Sequence, residues 1–109
     1  MENYKITDAK HRSQKEREEL LKKAYKLIAA GVVVRDPQRL DIRGTLLCGK
    51  GVEIDINVVF EGDVILEDGV IIGSNCILRN CKIGKDTQIN PFSLVEEAII
   101  GEKSFVGPY

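Results

Sequence analysis

The 109-residue chain reads as a mainly β protein: a parallel β-helix of hexapeptide repeats, about four coils long, preceded by one N-terminal α-helix. Three observations point there. Apolar residues recur from Ile42 through Cys48, Ile54, Phe60, Leu66, Ile72, Leu78, Ile83, Ile89, Val95 and Ile100 to Val106, in steps of six broken by two of five, Leu78 to Ile83 and Val95 to Ile100. The residue two before each is aliphatic at first (Leu40, Leu46, Val52) and later small (Cys76, Cys81, Thr87, Ser93, Ala98, Ser104). Ahead of Gly31 the apolar spacing changes to that of a helix.

The helix comes first in the chain. Met1 to Ile6 read as a polar lead-in, and the helical pattern runs from about Asp8 to Ala30. Leu20, Ala24, Leu27 and Gly31 fall on one stripe, flanked by Leu21 and Ile28. Ser13-Gln14-Lys15-Glu16 matches a capping box, which predicts a firm start at Ser13. Gly31 is the expected stop, because glycine takes the left-handed conformation that ends helices without steric cost. Lys10, Arg12, Lys15, Arg17, Lys22, Lys23 and Lys26 crowd the polar face against Glu16, Glu18 and Glu19; the reading is a solvated face. The apolar stripe is narrow and needs a surface to lie on, either the repeat region or another chain.

A connector follows, Gly31-Val32-Val33-Val34-Arg35-Asp36-Pro37. Its β-branched run is extended, and Pro37 pushes Asp36 out of the helical region. The predicted organisation is a linker helix over 1–31, a connector over 32–39 and the repeat region over 40–109.

The repeats follow from strand geometry. Residues i−2 and i of an extended segment point the same way, so each hexad sends two side chains inward and then turns a corner. One rung cannot bury its own apolar face, but stacked rungs can, each inward aliphatic contributing about 1.5–3 kcal/mol. The residue after the second inward side chain (Asp55, Glu61, Glu67, Gly73, Gly84, Asn90, Glu96, Gly101, Gly107) is predicted to sit at the corner, where Gly, Asn and Asp tolerate unusual backbone angles. The two five-residue steps are short corners or slips of register. Asn90-Pro91-Phe92 reads as an outward turn.

Composition narrows the function. A net charge of −1 argues against nucleic acid or an anionic membrane as the main partner. No apolar run approaches the ~20 residues of a membrane span, and no signal peptide is read at the N-terminus. Cys48, Cys76 and Cys81 all fall on inward positions and read as reduced core thiols of a cytoplasmic protein, with a Cys76–Cys81 disulfide as the alternative.

Catalytic material is sparse. His11 is the one histidine and lies on the helix, while zinc-holding repeat enzymes need several and acyltransferases of this fold commonly place a histidine base on a coil. There is no phosphate-cradling GxxxxGK[ST] and no GxGxxG. Asp55, Glu61, Glu67 and Glu96 could form a carboxylate pair between stacked corners, but solvated corner acids are the expectation. No catalytic, cofactor-binding or metal-binding residue is therefore assigned.

The connector feeding Leu40-Asp41-Ile42-Arg43-Gly44, then the rung Val52 to Gly62, Ile83-Gly84, Asn90-Pro91-Phe92 and Ile100-Gly101 to Gly107-Pro108-Tyr109, closely resembles one family. It is the bacterial bifunctional N-acetylglucosamine-1-phosphate uridyltransferase / glucosamine-1-phosphate acetyltransferase, and the likeness covers nearly the whole chain. The resemblance implies a left-handed β-helix, against the usual right-handed crossover. It also implies a homotrimer, and a cytoplasmic enzyme of UDP-N-acetylglucosamine biosynthesis that supplies peptidoglycan and lipopolysaccharide and uses acetyl-CoA, UTP and magnesium. Against the family plan this chain holds the linker helix and first coils, truncated at the C-terminal end. Cofactors and substrates are then expected outside this span, and the chain alone is expected to be inactive. The family's metal-binding Asn falls near Ile6-Thr7-Asp8, where Thr7 replaces it, so no metal ligand carries over. The alternatives are a stand-alone repeat scaffold or interaction module, and a different sugar acyltransferase with its site between protomers.

Overall fold

A computed structural model describes the backbone of residues 2–108 and the side chains of residues 9–108. The region around Ile6-Thr7-Asp8 lies outside the described side chains.

The helix α1 spans Glu2–Ala29. It runs through both the segment read as a lead-in and the capping box, so Ser13 is interior to the helix and caps nothing. Lys, Glu, Ala and Arg fill both flanks of that serine, and their helix propensity carries the helix across it. Gly31 ends the helix as expected. Its φ is +97°, its N–H donates to the Ile28 carbonyl at 3.0 Å, and the Val32 N–H donates to the Leu27 carbonyl at 3.0 Å. These two bonds satisfy carbonyls that the last turn would otherwise leave open.

The rest is a solenoid of about four coils, a left-handed β-helix built only from parallel strand pairs. One sheet stacks the short strands β1 (Val33–Val34), β3 (Glu53–Ile54), β5 (Ile71–Ile72), β7 (Gln88–Ile89) and β10 (Phe105–Val106). The other stacks β2 (Leu40–Cys48), β4 (Val58–Leu66), β6 (Ile77–Ile83) and, on β6, both β8 (Leu94–Glu96) and β9 (Ile99–Ile100). β1 lies within the stretch read as a connector, and it is already a rung, with Val33 opposite Glu53.

The first coils take 18 residues, as from Leu40 to Val58, and the later ones 17, as from Ile77 to Leu94. The lost residue comes from one corner. Gly44-Thr45 and Gly62-Asp63 stack in register there, whereas Asn80 alone faces Gly62-Asp63, and the pairing of β4 with β6 shifts at that point. The five-residue steps are thus short corners, since Val64 opposite Cys81 and Leu66 opposite Ile83 regain the inward alignment. Asn80 makes the shortening workable. It takes φ +44°, accepts from the Asp63 N–H at 3.1 Å, and donates to Glu97 Oε1 at 3.1 Å in the next coil.

Left-handed residues do mark the corners, but of the positions read from sequence Gly107 alone, at φ +92°, is one of them. Gly49, Gly73, Gly84 and Gly101, directly after an inward residue, have ordinary φ. At the three-residue corners the left-handed position is two further on: Gly51, Gly69, Asp86 and Lys103 in one column, Asn57, Asn75 and Phe92 in another. Gly73 and Gly84 serve close approach instead, since a Cβ there would lie 2.7 Å from the Pro91 nitrogen and from the Gly101 carbonyl carbon.

The inward positions form the core. Val52, Ile54, Val58, Phe60, Leu66, Ile72, Leu78, Ile83 and Ile89 are all at most 1% exposed. Thr87 and Ser93 are buried polar residues on the same columns, and both hydroxyls are satisfied by corner carbonyls, Gly101 at 2.8 Å and Asn90 at 2.6 Å. Leu20 and Ala24 of α1 are buried with this core and Leu27 packs against it, so the predicted stripe lies on the first coil.

Candidate functional site

Side chains that do not enter the bore stack in vertical columns, because the register repeats from coil to coil. Two columns carry the chemistry of the surface. In the first, Arg43, Glu61, Arg79 and Glu96 follow one another across four coils. Their charges alternate, and each neighbour pair meets. Arg43 Nη1 lies 3.4 Å from Glu61 Oε1, Arg79 Nε 2.7 Å from Glu61 Oε2, and Arg79 Nη1 bonds Glu96 Oε1. Hydrogen bonds donated to Glu96 first, then to Glu61, raise the pKa of the Arg79 guanidinium. The ladder continues upward: Arg43 reaches Asp41 at 3.2 Å, and Asp41 takes Arg17 of α1 at 2.9 Å.

The carboxylate pair considered from sequence does not form. Arg79 separates Glu61 from Glu96. Asp55 turns back to accept the Ile56 N–H at 2.8 Å, and Glu67 lies 3.9 Å from Lys82. His11 is exposed on the part of α1 that precedes the coil contacts. Among the described residues no three His, Cys, Asp or Glu converge as a metal site.

The helix face read as solvated is partly spent on the solenoid. Arg17 Nη1 donates to the Leu40 carbonyl at 3.3 Å and Lys23 Nζ to the Ile42 carbonyl at 3.4 Å. These carbonyls belong to the upper edge of β2, where no coil precedes. A signal for the ladder was present in the sequence: reading the position after each inward residue at coil spacing gives Arg43, Glu61, Arg79, Glu96. Arg17 and Lys23 carry no such signal, because their partners are backbone groups.

The second column is apolar except for one lysine. Leu47, Ile65, Lys82 and Ile99 share one face, with Leu47 57%, Ile65 40% and Ile99 85% exposed. Grooves lie above and below Ile65, one reaching Leu47 and Asp68, the other Asn80 and Ile99. The thiols pack with the core, Cys76 and Cys81 buried and Cys48 partly so. All three cysteines are free; burial pushes Cys48 and Cys81 up to about 11 and raises Cys76 as well, so at neutral pH they are protonated. The Cys76–Cys81 disulfide is absent. Among the described residues, no helix is long and apolar enough to cross a membrane.

Comparison with known proteins agrees with the family read from the connector and first coils. The chain is similar to bifunctional protein GlmU of Azoarcus sp. (strain BH72), 50% identical over 86 residues, which is 79% of this chain and 19% of that protein. It is similar to bifunctional protein GlmU of Burkholderia multivorans, 51% identical over 83 residues, covering 76% of this chain and 18% of that protein. The same protein of Nitrosospira multiformis is 52% identical over 86 residues, again 79% and 19%. The chain thus spans about a fifth of the length of these relatives. The family model described as "GMPPB C-terminal domain" matches residues 42–109, from the first long strand onward. With well over half its residues matched, the chain belongs to the family of the GMPPB C-terminal domain and is a relative of bifunctional protein GlmU.

Proposed function

We propose that this chain is the helix arm and opening coils of the bifunctional enzyme of UDP-N-acetylglucosamine biosynthesis. That enzyme transfers acetyl from acetyl-CoA to glucosamine-1-phosphate and then uridylyl from UTP, with magnesium, in the cytoplasm. The role of this span is architectural: it fixes the helix against the coils and holds three copies together through the β-helix, without nucleic acid or membrane as partner. The observation that carries the reading is the half-identity to GlmU relatives over about four fifths of the chain. The structure supports the division of labour. The corner acids weighed from sequence are engaged, Glu61 and Glu96 with Arg79, Glu67 with Lys82 and Asp55 with backbone, and Cys76 and Cys81 are buried in the core. The exposed Leu47–Ile65–Ile99 stripe is the face we assign to the neighbouring copy, since burying it removes apolar surface from water.

The test has two parts. The purified chain is given acetyl-CoA and glucosamine-1-phosphate, then UTP and N-acetylglucosamine-1-phosphate, and is sized by light scattering. The expected result is no turnover in either assay and a trimer that Ile65→Lys disperses to monomers. Turnover by the chain would overturn the architectural role, and a monomer at all concentrations would overturn the trimer.

A further inference from the structure

We propose that the uncovered upper edge of β2 at Leu46–Cys48, with the groove beside it, takes up an extended acidic segment of a partner protein as an added strand.

The argument begins with the direction of backbone groups. In this solenoid the carbonyls of inward residues point toward the preceding coil: Cys76 accepts from the Val59 N–H, and Ala98 from the Lys82 N–H, each at 3.0 Å. In the first coil the inward residues of β2 are Leu40, Ile42, Leu46 and Cys48, and no coil precedes them. The helix covers the first two, through Arg17 on Leu40 and Lys23 on Ile42. It does not cover the second two. No described residue bonds the upward groups of Leu46 and Cys48, and both residues are only half-buried, unlike their equivalents Val64 and Leu66 one coil below, each 1% exposed. Half of one strand edge is capped and half is open, and an open edge is a template for pairing.

The surroundings select the occupant. Beside the open half a groove of about 280 Å³ runs between α1 and β2, with Leu27, Ile42 and Leu46 on its apolar side, Gly44 and Thr45 at the corner, and Lys23 and Lys26 from the helix. No acidic side chain lines it. A strand laid on Leu46–Cys48 sends alternate side chains toward the groove. One apolar side chain fills it, and flanking carboxylates meet the two lysines. This charge complementarity with Lys23 and Lys26 favours an acidic partner segment.

The test follows amide shifts in the isotope-labelled 109-residue chain on addition of the peptide acetyl-DEVIVED-amide. The expected result is saturable shifts at Leu46, Leu47, Cys48 and Lys26. Binding should weaken at least ~5-fold in Lys26→Glu and as salt rises from about 50 to about 500 mM. It should vanish when the central isoleucine of the peptide is replaced by proline, which cannot donate to the edge. Lys26 is exposed, so its substitution spares the fold, and the salt and proline arms need no variant. Absence of shifts, equal binding of a lysine-flanked peptide, or shifts confined to Ile65 and Ile99 would overturn the proposal. So would peptide-independent, concentration-dependent protection of the Leu46–Cys48 amides, which would mark a second copy as the occupant.

Discussion

Phe92 holds φ +62° at the corner between β7 and β8, with 66% of its surface exposed. The equivalent corner positions of the two preceding coils are Asn57 at φ +57° and Asn75 at φ +58°. Asparagine visits this region readily, whereas a bulky residue there brings Cβ against the backbone at a cost of about 1–2 kcal/mol. Phe92→Asn is therefore expected to stabilise the chain by about 1 kcal/mol, seen as a higher denaturant midpoint with an unchanged slope. A lower midpoint would mean that the ring makes a stabilising contact, outweighing the backbone relief. The same residues show what the sequence could reveal. Inward positions were legible because strand alternation and a fixed period leave no freedom in which side chains face the bore. The left-handed positions were not, because corner residues are small or polar for two separate reasons, backbone angle at Gly51 or Asn75 and coil-to-coil clearance at Gly73 or Gly84. Composition alone does not separate the two.

At the scale of elements, α1 shows packing and charge acting on one interface. Its stripe was readable from period, and Ala24 within it is fully buried in the core shared with the coils. Its start was not readable, because a capping box is only a local option and the flanking helix formers override it. Its polar contacts were not readable either, because Arg17 and Lys23 find carbonyls exposed only once β2 becomes a first coil. The two kinds of contact differ in expected weight. Ala24→Leu inserts volume into a closed interface and should cost about 1–3 kcal/mol. Arg17→Met, at a side chain 39% exposed, should cost about 1 kcal/mol or less, because surface ion pairs are screened and hold two long side chains in place. Chemical denaturation of the two variants checks the order. If Arg17→Met is the more damaging, the ladder rather than the apolar stripe secures the helix.

Across the whole molecule, stability follows the stacking. Each coil touches only its neighbours, so local stability is a sum of what a coil buries within itself and against the coils on either side. The second and third coils have both neighbours, and their inward residues from Val52 to Ile83 are almost fully closed off. In the fourth, Ala98, Ile100 and Val106 are only partly buried, and Ile99 and Phe105 stand largely in solvent. The helix shields one end by covering the start of β2. Amide exchange in this chain should accordingly be graded, slowest in β4 and β6, intermediate in β2 and fastest in β9 and β10, since opening free energies follow buried contacts. Hydrogen–deuterium exchange read by mass spectrometry on peptides from each coil would show the gradient. Uniform protection from β2 to β10 would instead require all four coils to open together, as when another chain buries the Leu47–Ile65–Ile99 face along its length. Repeating the exchange in Ile65→Lys separates the two cases: a gradient that appears only in the variant assigns the uniform protection to association, and one present in both assigns it to the coils themselves.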